Sequence, residues 1–137
     1  MRYYLVLFGF LATTSAWATL GQSIVLKEET SVQGGPFTIH TVEAGSTTVR
    51  EYVTASGIVF GLAWNGLTHP DLAPLLGTYA GDYQQGLRKS TRVFGRRKHA
   101  MTSGSLVVEK WGHMRNLQGR AYDPALLPSG VNADEIK

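Results

Sequence analysis

Four histidines, ten carboxylates and no cysteine are the side chains from which this 137-residue chain can build chemistry. The lack of cysteine removes a thiolate nucleophile, a thiolate metal site and a disulfide scaffold together. His40, His69, His99 and His113 are widely spaced and form neither an H-E-x-x-H pair nor an H-x-H repeat. The three or four converging ligands of a metal site are therefore not legible in the chain. His69 and Asp71 flank Pro70 and make a metal pair conceivable, but a helix-entry loop explains both residues without one. Ser105, His113 and Asp123 supply the residue types of an acyl-transfer triad. No G-x-S-x-G elbow presents that serine, and Ser103-Gly104-Ser105 is too short for a phosphate loop. No two carboxylates stand out as a glycosidase pair. The reading is no catalytic, metal-binding or cofactor-binding residue, with a small secreted hydrolase as the alternative.

Charge is more informative than nucleophiles. From Thr19 to Leu87 there are two basic residues against six acids; from Arg88 to Arg120 there are nine against Glu109 alone. Within that second stretch Arg88, Lys89, Arg92, Arg96, Arg97 and Lys98 place six positive charges in twelve residues, with Val93 and Phe94 among them. Such a run is either a solvated loop or a grip for a polyanion that combines charge with aromatic stacking. These six residues are the candidate anion-binding set.

The aromatic residues raise a sugar-binding platform, with Trp64, Trp111, Tyr79, Tyr83 and Tyr122 as its members. Trp64, Tyr79 and Tyr83 lie on apolar faces and read as core. Trp111 falls at the expected tip of a hairpin and is the candidate contact residue. Arg115 and Arg120 are expected to pair with Glu51 or Asp123 as structural ion pairs rather than to bind anions.

The elements that position these residues follow from periodicity. Arg2, the uncharged run from Leu5 to Ala12 and the pair Ala16-x-Ala18 make the pattern of a secretory leader cleaved after Ala18. The apolar run is too short to span a bilayer. The expected organisation is a leader over 1–18 and a single exported domain over 19–137, periplasmic or secreted, with no transmembrane segment after processing. A short strand is expected over Ser23–Lys27 and others over Phe37–Val42, Thr47–Thr54 and Ile58–Trp64, the last two forming a hairpin. In Ile58–Trp64 a bulky face (Ile58, Phe60, Leu62, Trp64) opposes a small one (Val59, Gly61, Ala63). Leu72, Leu75, Leu76, Tyr79 and Tyr83 repeat at helical spacing, with Asp71 as N-cap, Gly86 as stop, and Gly77 and Gly81 as suspected points of close packing. Phe60, Leu62, Trp64, Leu72, Leu76 and Tyr79 are expected to share one core. Met101–Gly104 reads as loop, and Ser105–Lys110 with His113–Gln118 as a second hairpin turning at Trp111-Gly112. A short helical turn is expected after Asp123-Pro124. The fold class is α+β: a small antiparallel β-sheet built from hairpins with one amphipathic helix packed on a face.

This order of residues resembles a known bacterial family. The motifs are Val49-Arg50-Glu51-Tyr52-Val53, Gly57-x-Val59-Phe60, Ala63-Trp64-x-Gly66, Pro70-Asp71-Leu72-x-x-Leu75-Leu76-Gly77-x-Tyr79, Gly112-His113-Met114-Arg115, and Gly119-Arg120-Ala121-Tyr122-x-Pro124-x-Leu126-Leu127-Pro128. Together they are similar to the exported family catalogued as domain of unknown function 2844. The resemblance implies an exported bacterial protein and supplies no catalytic residue; Arg88–Ser103 matches it least. The function expected is a non-catalytic envelope binding or accessory module. Its partner would be an anionic envelope component or a neighbouring exported protein, with no specific nucleic acid and no cofactor.

Overall fold

The computed structural model describes residues 19–21, 31–91 and 97–137. Seven strands form one antiparallel sheet in the order β1-β2-β3-β4-β7-β6-β5. They are β1 (Ser31–Gly34), β2 (Phe37–Ala44), β3 (Thr47–Thr54), β4 (Val59–Gly66), β5 (Lys98–Ser103), β6 (Leu106–His113) and β7 (Asn116–Tyr122). One helical segment links β4 to β5: α1 (Leu72–Leu76), a 3₁₀ turn (Gly77–Tyr79) and α2 (Ala80–Lys89). It packs on one sheet face, so the fold is the α+β arrangement expected. The strand expected over Ser23–Lys27 lies outside the described residues.

β4 is central and apolar on both sides, so both sides must be covered. On the helix side Val59, Leu62 and Trp64 are buried against Leu72, Leu75 and Leu76, with Val49 and Val53 of β3 and Val108 of β6. Tyr79 and Tyr83 pack at the margin of this core. On the far side Phe37, Tyr52, Phe60 and Ala63 form a second core with Val131 and Ile136 of the C-terminal segment. Phe60 thus leaves the group expected from alternation. The cause is a register shift: Tyr52 pairs with Gly61, yet Val53 pairs with Val59, leaving Phe60 as an extra residue. A β-bulge of this kind interrupts the two-residue period. Val59 therefore faces the helix with Leu62 and Trp64, while Phe60 turns to the other face. The small side of β4 admits a side chain rather than the helix, because a Cβ on Gly61 would meet Ile136 at 2.6 Å.

Asp71 caps α1 as its position implies, its Oδ1 accepting from the Ala73 N–H at 3.1 Å. Gly77 adopts φ +53°, and the helix tightens there into the 3₁₀ turn. Gly86 does not stop α2, which runs to Lys89. It is instead the point of close packing: a Cβ there would lie 2.5 Å from the Met101 Sδ. Gly81 meets nothing within 4 Å. Met101–Gly104 is correspondingly not a loop, since Met101 and Ser103 belong to β5 and pack beneath α2. Leu20 plugs the helix-side core and donates its N–H to the Leu75 carbonyl at 3.0 Å.

The second hairpin turns three residues later than expected, at Met114-Arg115, with His113 opposite Asn116. Gly112 suggested the turn, but it serves a close approach: a Cβ there would come within 2.1 Å of the Asn116 carbonyl oxygen. Arg115 takes the left-handed conformation, φ 68°. Trp111 is therefore inside β6 rather than at a tip. The 3₁₀ turn at Pro124–Leu126 matches the short helical turn anticipated after Asp123.

Leu76 is fully buried while Leu87, on the outer side of α2, is 47% exposed. Leu76→Ala should cost about 2–5 kcal/mol in urea unfolding. Leu87→Ala should stay within about 0.5 kcal/mol of the wild type. Equal losses at the two positions would mean that the helical segment does not dock through its leucine stripe.

Candidate functional site

The charged segment singled out in the sequence is gathered at one end of the molecule. Arg88 and Lys89 form the last turn of α2, where cations oppose the partial negative charge of the helix C-terminus. Lys98 opens β5 and Arg97 immediately precedes it. Ser90 Oγ lies 2.8 Å from His99 Nε2, which joins the two ends of the intervening segment. Arg92 and Arg96 lie outside the described residues. Lys98 pairs with Glu109 at 2.9 Å. Arg88, Lys89 and Arg97 are exposed and make no ion pair among the described residues.

Trp111 stands on the sheet face opposite the helix. Its indole N–H donates to Gln118 Oε1 at 3.1 Å, and the Arg120 guanidinium carbon is 6.0 Å from its ring centroid. Arg120 is the centre of a charge network, donating through Nε to Glu109 and through Nη2 to Asp134. Burial pushes the Glu109 carboxyl up, but its bonds to Lys98 and Arg120 outweigh this and hold it below its usual range. Burial likewise disfavours the Arg120 charge, and the Glu109 bond reverses the balance. The expected ion pair of Arg120 with Glu51 or Asp123 is not formed: Glu51 faces the helix side of the sheet, and Asp123 has other partners. Arg115 is exposed at the hairpin turn.

Ser105 and Asp123 do meet. Asp123 is buried and accepts from Tyr79 Oη at 2.7 Å and Ser105 Oγ at 2.9 Å on Oδ2, and from the Ala125 N–H at 2.8 Å on Oδ1. Burial raises the Asp123 pKa, but these three bonds prevail and lower it. The Tyr79 hydroxyl is pushed up to about 12, first by burial and then by the bonded carboxylate. His113 does not join them. It lies at the opposite end of the eight-residue β6 from Ser105, roughly 25 Å away along an extended strand. Ser105 therefore lacks a general base, and the Tyr79–Asp123–Ser105 cluster is a structural tie between the helical segment, the β5–β6 turn and the end of β7. Tyr79 was missed as the third member because it lies 44 residues from Asp123 in sequence.

The His69–Asp71 pair lines a pocket of about 390 Å³ with Ala44, Thr68, Pro70, Pro74 and Leu75. The buried Trp64 indole donates to His69 Nδ1 at 3.0 Å. That bond places the proton of the neutral imidazole on Nε2. Both the metal and the general-base readings need a free ring lone pair, and the indole occupies it. Asp71 is committed to its cap. Burial, and then the Lys110 charge, lower the His69 pKa. Among the described residues no group of three or more histidines and carboxylates could hold a metal ion. No described helix is long and apolar enough to cross a membrane.

Two measurements check these assignments. Tyr79→Phe should destabilise by about 1–3 kcal/mol, because it deprives a buried carboxylate of a donor while preserving the ring. An unchanged unfolding midpoint would show that Asp123 does not depend on that bond. For His69 the folded pKa lies below the ordinary 6.5. Its neutral form is favoured by folding, so its contribution is complete above 6.5 and is lost as pH falls through the depressed folded value. His69→Gln should flatten the pH dependence of stability in that window; an identical profile would overturn the neutral, indole-bonded assignment.

With this geometry established, the comparisons with known proteins are brief. No curated protein matches the chain. No solved structure matches it. A family model matches residues 12–136, nearly the whole chain, and contains both sheet faces, the helical segment and the charged end. The chain belongs to the family described as protein of unknown function (DUF2844).

Proposed function

We propose that this protein is a non-catalytic, exported module that docks on an anionic component of the bacterial envelope through its basic end. The observation that carries the reading is the Ser90–His99 contact at 2.8 Å, which closes the two ends of the segment on each other. Charges nine or ten residues apart in sequence thereby become neighbours on one surface. Arg88 and Lys89 come from the helix, and Arg97 and Lys98 from the sheet. Grouped cations without carboxylate partners raise the local positive potential, and a polyanion neutralises them with release of its counterions. Export is supported by the n-region, short apolar run and Ala16-x-Ala18 pattern of the first eighteen residues. The opposing hydrolase reading loses support where Ser105 has no histidine and where His69 has no free lone pair.

The test is retention on anionic vesicles and on heparin. Exchanging Arg88 and Arg97 for Glu should abolish retention at low salt while leaving the thermal melt in place. Wild-type retention should fall steeply as ionic strength rises, since exposed charges are screened. Elution of both proteins at the same salt concentration would show that the basic end is merely solvated.

A further inference from the structure

The sheet face opposite the helix is divided in two. The C-terminal segment covers the half that carries Phe37, Tyr52, Phe60 and Tyr122. The pairing registers show what fills the other half. One row crosses six strands as Glu43, Thr48, Asn65, Gln118, Trp111 and Lys98. It is entirely polar apart from one indole. The next row carries Arg50, Ala63, Arg120 and Glu109.

Two atoms on this half are buried yet without a hydrogen-bond partner, Arg50 Nε and Asn65 Oδ1. Asn65 pairs with Thr48, two residues from Arg50 on the same side of β3, so the two side chains are diagonal neighbours. One is a donor and the other an acceptor. A hydroxyl answers both, donating to Asn65 and accepting from Arg50. The two arginines of the face also differ in charge balance. Arg120 is neutralised by Glu109 and Asp134, whereas Arg50 has no ion pair among the described residues. Arg50 and Trp111 are separated by three strand spacings, roughly 14 Å. An indole to pack against a sugar ring, a donor–acceptor pair matched to a hydroxyl and an unneutralised guanidinium are the recognition groups for a carboxylated glycan. Lys98, at the end of the row, makes this face continuous with the basic end.

We propose that the open half of this face binds an acidic oligosaccharide, with Trp111 packed against one sugar ring, Asn65 and Arg50 sharing a hydroxyl, and Arg50 also engaging a ring carboxylate. This goes beyond docking by the basic end, because it requires hydroxyls and ring faces in addition to negative charge.

The experiment titrates the purified protein with tetragalacturonate, and with its methyl ester as the neutral counterpart, by calorimetry and by NMR of the indole N–H signals. The Trp111 signal is identified by its disappearance in Trp111→Phe. Tetragalacturonate should shift that signal and leave the buried Trp64 signal in place. Trp111→Ala and Arg50→Gln should each weaken binding at least tenfold, Asn65→Ala should weaken it severalfold, and Trp111→Phe should recover part of the loss. The ester should bind at least tenfold more weakly than the acid. The inference is overturned if neither oligosaccharide moves the Trp111 signal, or if acid and ester bind alike. It is also overturned if exchanging Arg88 and Arg97 for Glu abolishes binding while Trp111→Ala leaves it intact. That last pattern would leave docking through the basic end standing alone. Because the wild-type titration itself reports on Trp111, the conclusion does not depend on every variant folding.

Discussion

The rest of the structure depends on the need to bury β4 on both sides. From Val59 to Trp64 the strand carries no polar side chain, and exposing either face to water would forfeit the hydrophobic burial that stabilises the sheet. Two covers answer the two faces. The leucine stripe of the helical segment closes one, and Val131 and Ile136 close the other. The bulge at Phe60 lets one short strand serve both, because it places bulky residues on each face of a strand whose plain alternation would crowd them on one. Gly61 and Ala63 leave the room into which Ile136 fits.

The covers must then be held in place. The Asp123 cluster ties the 3₁₀ turn of the helical segment to the sheet, and a second tie joins Tyr52 Oη to the Lys137 carbonyl at 2.6 Å. Arg120 adds a third by donating to the Ala133 carbonyl while its charge is balanced by Glu109. A buried carboxylate supplied with three donors is inexpensive to bury, whereas one left short of a donor is not. The polar residues that first suggested a catalytic triad are thereby absorbed into fixing the architecture. The same holds for His69, whose lone pair satisfies the indole N–H of the largest buried side chain. Chemistry that looked available in the sequence is spent on hydrogen bonds that the interior requires.

What remains free on the described surface is distributed unevenly. The C-terminal segment reaches across only the apolar half of its face, because only that half offers apolar area to bury. The uncovered half retains a polar row with one indole, and the adjoining edge carries the ends of the basic segment. Binding surfaces of this molecule are therefore those that packing did not claim, and both follow from how far each cover extends.

The sequence by itself determined the local elements. The β-branched run at Thr47–Thr54 and the leucine spacing from Leu72 to Leu76 were legible because period and propensity act over a few residues. The same is true of the Asp71 cap. The charge asymmetry and the set from Arg88 to Lys98 were legible in the same way, as composition. Tertiary structure alone decided the matters that need a partner. The bulge at Phe60 exists only relative to Tyr52 on the neighbouring strand. Gly86 is a packing contact rather than a helix stop because Met101 lies against it. Gly112 is a close approach rather than a turn because Asn116 returns beside it. The meeting of Tyr79 with Asp123 and the alignment of Asn65, Gln118 and Trp111 in one row arise from strand pairing between distant segments. No local period encodes such pairings: they are set when both faces of β4 are covered at once, a condition that involves the whole sheet.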